Sequence, residues 1–324
     1  MLSLRAITDY LNDRVIDPVP RFILLKEILK VPSDAAAYRD TYQEVKESKW
    51  YLQLSKEQWP DGSWGRFHTQ DSKAEIKQIF PTTEAALQRI RELSLDQQDP
   101  MLAAAIHRME CYLDGSDQWT DRIEKHYGFV IALNTIVASN LSLFVPDHPL
   151  IEEKRRVCAE NITKAFCKGE LDEELWASEN IKSNEILLQA YMVHIARLLQ
   201  KNPYLEEELQ RKYLNYIWNR KEGIYYISGT APAVTFSLES PKFNEWLSNL
   251  ESLSAFSLFP EFMEQGALEF LLKEAERLMN EKVTLPTAHP VYGHYSESWR
   301  NKEKRQYDLL LRILRLLVKA GYSR

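Results

Sequence analysis

The chain has 324 residues, 44% of them hydrophobic and 27% charged. That is enough apolar material for a sizeable core under an ordinary charged surface, as one large domain or two average ones. With 41 Lys plus Arg against 47 Asp plus Glu, the net charge of -6 is diffuse and argues against nucleic-acid binding as the main task.

Cys111, Cys158 and Cys167 form no Cys-x-x-Cys pair, and their odd number argues against a disulfide framework. A reducing, cytoplasmic setting is therefore expected. The first residues lack the apolar core and small-residue cleavage site of a signal peptide. No run approaches the roughly 20 apolar residues that span a bilayer, so no transmembrane segment is expected, while a peripheral membrane contact stays open.

In chain order, residues 3–12 read as a helix, with Leu4, Ile7 and Leu11 at helical spacing. Pro20 can open the next helix, because a first-turn proline loses no intrahelical hydrogen bond. Ser33 and Asp34 offer caps for one long helix over 35–54. The 58–68 loop, Gln-Trp-Pro-Asp-Gly-Ser-Trp-Gly-Arg-Phe-His, joins a strong Asp-Gly turn to three large aromatics. Trp59, Trp64 and Phe67 are too apolar for a solvated loop, which predicts inward packing.

Helices follow over 81–95 and from Asp99-Pro100 to Leu113, then a whole or broken helix over 119–142 and a long one over 151–166. The span 180–200 reads as a mostly buried helix, and 204–218 as another. Arg220–Tyr226 repeats the first loop in outline: polar turn, glycine, aromatics. The β-branched and aromatic residues beyond it allow a short β-hairpin near 224–238. Helices over 241–258, 260–280 and 302–320 complete the chain. Nothing alternates strand and helix as a doubly wound fold does, and with 10 glycines and no polar linker no domain boundary stands out. The expected class is all-α, a repeat of paired helices around aromatic loops.

Residues 58–65 together with Thr82-Thr83-Glu84-Ala85-Ala86-Leu87 resemble repeats of squalene–hopene cyclases and protein prenyltransferase β subunits. There a Gln and then Asp-Gly-Ser-Trp-Gly lead into a helix that begins near a Thr and carries Ala-Leu. The resemblance covers about residues 17–115 and is faint from Tyr204 onward. It implies an α/α toroid, a ring of paired helices around a central cavity, as a single domain over 1–324. It also implies a terpenoid-cyclase-like or prenyl-processing protein whose partner is a small, apolar or partly apolar ligand such as an isoprenoid. The catalytic motifs of those families are missing: no Asp-x-Asp-Asp, no Asp-Asp-x-x-Asp and no matching Asp, Cys and His zinc set. A non-catalytic binding scaffold and a different enzyme class in the same cavity are the alternatives.

The densest reactive cluster is the segment 289–300, which holds His294, Glu297, Tyr292, Tyr295, Trp299 and Arg300. A loop can aim such groups into a cavity mouth, and His294 or Glu297 is the first candidate for proton transfer. Asp121 and His126 are the second, although Asp121 and Glu124 share a helix face from which His126 falls away. Asn184, Tyr191 and His194 lie on one face of the expected 180–200 helix and would line the cavity. Arg66 and His68, just past the Trp-Gly of the loop, are further cavity candidates. Each group has a plainer role, as a cap, a charged first turn or a hydrogen-bonded core residue. No metal set is read, and the cofactor and oligomeric state are left open.

Overall fold

The computed structural model describes residues 2–15, 17–71, 77–117, 119, 124, 129–286, 294–298 and 300–323. Among them the regular structure is helical, with no strand. The chain opens with α1 (Leu4–Asn12), whose first turn is capped by Ser3 Oγ accepting from Ala6 N–H at 3.1 Å. Next comes α2 (Pro18–Ile23), running directly into a π-helical segment (Leu24–Ile28). Pro18, not Pro20, is the first helical residue, with Asp17 as the extended residue before it.

The expected long helix over 35–54 is two helices, α3 (Ala36–Glu47) and α4 (Lys49–Glu57). Ser48 between them is extended, with ψ 150°, and its hydroxyl accepts from Tyr51 N–H to start α4. A serine that offers the backbone a cap competes with helix continuation. Then come α5 (Thr83–Glu92), capped by Thr82, and α6 (Pro100–Asp114), capped by Asp99. They are followed by α7 (Phe129–Phe144), α8 (Pro149–Ala165) and α9 (Glu173–Ser183).

The predicted helix over 180–200 does not form. Its first residues belong to α9, which is closed by the left-handed Asn184 at φ 52°, and its last form the separate helix α10 (Val193–Leu199). Side chains take the carbonyls between. The Thr135 hydroxyl, with one proton to share, lies 3.0 and 2.9 Å from Glu185 O and Ile186 O, while Lys154 Nζ donates to Glu185 O and Trp176 Nε1 to Leu188 O. Buried carbonyls satisfied by tertiary partners need no helix, so periodicity alone misled here. Asn184 is an exposed helix cap and does not share a helix face with Tyr191 and His194.

The remaining helices are α11 (Glu207–Asn219), α12 (Pro241–Leu253), α13 (Phe259–Met263), α14 (Ala267–Asn280) and α15 (Lys302–Lys319). The expected β-hairpin near 224–238 is absent. Only isolated bridges join Met192 to Tyr225 and Ile224 to Ser228. The buried hydrophobic residues form one connected cluster from Ile7 to Ala320. No single helix among the described residues is long and apolar enough to cross a membrane.

Two glycine loops set the positions that follow. In the first, Asp61 Oδ1 accepts from Ser63 N–H, and Gly62 at φ 86° sits where a Cβ would lie 2.4 Å from Ala104 O. Only glycine tolerates both the conformation and the approach. Trp64 and Phe67 pack inward as expected, and Trp64 Nε1 donates to Leu54 O at 2.9 Å. Trp59 departs from the expectation: it is 51% exposed and lies across Gly65.

Candidate functional site

The first loop delivers His68 to the start of α5. The N–H groups of Thr83 and Glu84, free of intrahelical partners in the first turn, donate to Arg66 O and Phe67 O at 2.8 and 2.9 Å. From the other side the buried Glu124 carboxylate accepts from three successive backbone N–H groups, those of Phe67, His68 and Thr69, at 2.9, 2.8 and 3.0 Å. Main chain on both flanks is thus fixed before the His68 side chain makes any contact.

That side chain meets Glu84. His68 Nδ1 lies 2.7 Å from Glu84 Oε2, and His194 Nε2 lies 2.8 Å from Glu84 Oε1. Facing a carboxylate oxygen, each of these ring nitrogens carries the proton and donates. Glu84 Oε1 also accepts from Asn140 Nδ2 of α7 at 3.0 Å, with Arg197 Nη1 of α10 at 3.5 Å. Arg197 in turn donates to Asn140 Oδ1 at 3.0 Å, closing a small ring of polar contacts.

Burial alone would raise the Glu84 pKa. His194, His68 and Arg197 overcome it and hold the carboxyl well below the ordinary carboxylate range. Its place in the first turn of α5 adds the favourable end of the helix dipole. His194 is shifted down, because burial outweighs the attraction of Glu84, so its ring is neutral at pH 7. Burial also pulls Arg197 down to about 10, which leaves it charged.

The second glycine loop covers this group. Gly223, at φ 66°, allows a turn in which a Cβ would lie 2.2 Å from Ser228 O. The loop is stitched to the start of α10 by Tyr225 N–H to Tyr191 O at 3.1 Å and Val193 N–H to Tyr225 O at 3.3 Å. Tyr226 is thereby held over both imidazoles, with ring centroids 5.2 Å from His68 and 5.5 Å from His194. Its hydroxyl is 3.4 Å from His68 Nε2. Tyr226 adopts φ 73°, a conformation that costs a non-glycine residue energy and persists only where the surroundings impose it.

Of the residues singled out in the sequence, His68 and His194 come together, and Tyr191 joins them through Tyr225, its ring 6.4 Å away. Arg66 pairs with Asp71 at 3.4 Å and contributes its carbonyl to the α5 start. Glu297 accepts from Lys49 N–H at 2.6 Å and so caps α4. His294 is buried, with its carbonyl accepting from Arg89 Nη1 at 2.7 Å. Tyr295 is buried and accepts from Arg315 Nη1 of α15 at 2.6 Å. Arg300 is exposed. Asp121, His126, Tyr292 and Trp299 lie outside the described residues.

Sequence reading missed Glu84, Asn140, Arg197 and Tyr226 as site residues. Glu84 passed as an ordinary acidic residue at a helix start. The available signal for Tyr226 was its loop's likeness to the first.

One donor atom each from His68, Glu84 and His194 lies within 4.8 Å of the others, so the three could hold a divalent ion. They do not need one to be satisfied, since both imidazoles and Asn140 already donate to Glu84. What the arrangement does directly is leave His68 Nε2, the ring nitrogen not facing Glu84, beside the hydroxyl of the half-exposed Tyr226. In comparisons with known proteins, no family model, no curated protein and no solved structure matches the chain.

Proposed function

We propose that the protein is a proton-transfer enzyme for a small molecule, with His68 as general base and Glu84 as the carboxylate that orients it. The observation that carries this is the Glu84 Oε2 to His68 Nδ1 contact of 2.7 Å. It fixes the neutral tautomer, directs Nε2 outward and stabilises the imidazolium formed when Nε2 accepts a proton. Tyr226 over Nε2 occupies the place of a substrate X–H group or relays its proton.

The same geometry bears on the terpenoid reading. Initiating a cyclisation by protonating an alkene calls for a strong, protonated acid. Glu84 is held ionised, which suits proton removal instead. A different enzyme class in the cavity is therefore the better reading, and isoprenoid processing rests on the sequence resemblance. The toroid is proposed with it. Its support is a closed circuit of packing through α2, α3, α4, α5, α6, α7, α10, α12 and α15, with α15 returning to the π segment and α1.

The test is a metabolite extract incubated in D2O with the wild-type protein and with His68→Gln, read by mass spectrometry. His68-dependent deuterium incorporation into a compound supports the proposal, and the labelled compound names the substrate. Identical extracts from both proteins would mean a binding scaffold. Label or product confined to isoprenoids would favour the cyclase-like reading.

A further inference from the structure

Helix α5 carries Glu84 at one end and Arg91 seven residues later, two turns on and on the same face. Beyond Arg91 the chain turns through Ser94 and Asp96 into a second concavity, a cavity of about 410 Å3. It shares α5 and α7 with the His68 group but is lined by different residues, from the π segment, the end of α5, the start of α6, the end of α7 and α15.

The charges lining it are unequal. Lys26 is satisfied, its Nζ 2.7 Å from Asp96 Oδ1 and 2.6 Å from Ser94 O. Arg315 is satisfied too, its Nε and Nη2 forking onto Glu27 at 2.8 and 2.9 Å. The Arg91 side chain has no hydrogen bond and no ion pair among the described residues, yet it lines the cavity with both. Three cations thus face two carboxylates, and the unmatched one is a guanidinium, whose planar fork suits a carboxylate or phosphate.

Arg91 is surrounded at longer range by Glu251, Glu92, Arg315 and Tyr295, and burial pulls its pKa down. One turn past Arg315, Lys319 feels the same crowding. Burial and the charges of Arg315 and Arg91 bring it down to about 8, against the pull of Glu27 and Glu251. The opposite wall is apolar, with Leu95, Leu102, Leu143 and Phe144. A volume in this range accommodates a small organic molecule.

We infer that this cavity is a binding site for a small organic anion, its carboxylate or phosphate group held by Arg91 and its apolar body lying against Leu102 and Phe144. The anion completes the pairing that the protein leaves open. The inference is independent of the proton-transfer reading, because none of its residues belongs to the His68 group.

Thermal shift and calorimetric titration of the full chain with inorganic phosphate, inorganic pyrophosphate and succinate, against sodium chloride at matched ionic strength, test it. At least one of the three anions should bind saturably, and which one does distinguishes a phosphate from a carboxylate ligand. Arg91→Gln should weaken that anion by about tenfold or more. It should still fold, since the Arg91 side chain makes no hydrogen bond or ion pair that the substitution would break, and circular dichroism checks this. Arg91→Lys should retain part of the affinity, and His68→Gln all of it. No saturable response to any of the three beyond the salt control, or undiminished binding in a folded Arg91→Gln, overturns the inference.

Discussion

Replacing Glu84 by Gln is the most informative perturbation of the His68 group. Glutamine keeps the shape but loses the charge that faces Arg197, and its NH2 points a donor at an imidazole N–H that is itself a donor. Breaking a fully buried ion pair by removing one partner costs roughly 3–5 kcal/mol. The Glu84 side chain keeps 20% exposure and Asn140 still pairs with Arg197, so a loss of about 2–3 kcal/mol is expected here. Urea denaturation at pH 7 measures it, with an unchanged m-value as the sign that only stability moved.

The pH dependence gives a second handle on the same substitution. The Glu84 pKa is depressed in the folded protein, so its stabilisation is fully present above the unfolded carboxylate value and lost as pH falls through the folded one. The gap between wild type and Glu84→Gln should shrink as pH falls below about 4.5. Equal stability at pH 7, or a gap that stays unchanged well below pH 4.5 (about the unfolded value), would refute the reasoning.

Three further outcomes follow from the same geometry. His194 is shifted down and neutral when folded, so its contribution is present above its unfolded pKa and lost on acidification. Wild-type stability should fall below about pH 6.5 by up to about 1.4 kcal/mol per pH unit, and His194→Asn should flatten that slope. Gly223→Ala should destabilise by more than about 1 kcal/mol, because φ 66° and the approach of Ser228 O both exclude a Cβ. Circular dichroism melting would check it, and an unchanged Tm would contradict the loop geometry. Because Glu84 is already satisfied by N–H donors, prolonged EDTA dialysis should leave the Tm unchanged. Elemental analysis that finds one tightly held divalent ion per chain, lost together with the Tm, would replace the acid–base reading with a metal centre.

The helices were legible where a local signal marked each end. Ser3, Thr82 and Asp99 cap the helices that follow them, and the Asp-Gly turn with inward Trp64 and Phe67 stands as expected. Prediction failed where tertiary partners overrode a local pattern. Ser48 split an apparently continuous helix by capping the next one. Thr135, Lys154 and Trp176 took the carbonyls of Glu185, Ile186 and Leu188 where an apolar helix was expected.

The site was half legible. His68 and His194 were singled out on separate grounds, yet nothing local shows that residues 126 positions apart share one carboxylate. Glu297 appeared reactive in sequence because its segment is dense in polar groups, and it caps α4 instead. Glu84 and Arg91 were hidden in plain sight, since a helix start rich in Thr and Glu and a helix end rich in Arg are ordinary features of solvated helices.

The ring protons of His68 test the central claim most directly. Long-range 1H–15N spectra of the imidazoles at pH 7.5, assigned with His68→Gln, report the tautomer and the hydrogen bond together. The account predicts a neutral His68 protonated on Nδ1, with a downfield, slowly exchanging Nδ1–H resonance that disappears in Glu84→Gln, and a bare Nε2. A His68 protonated on Nε2, or a resonance unaffected by Glu84→Gln, would contradict it.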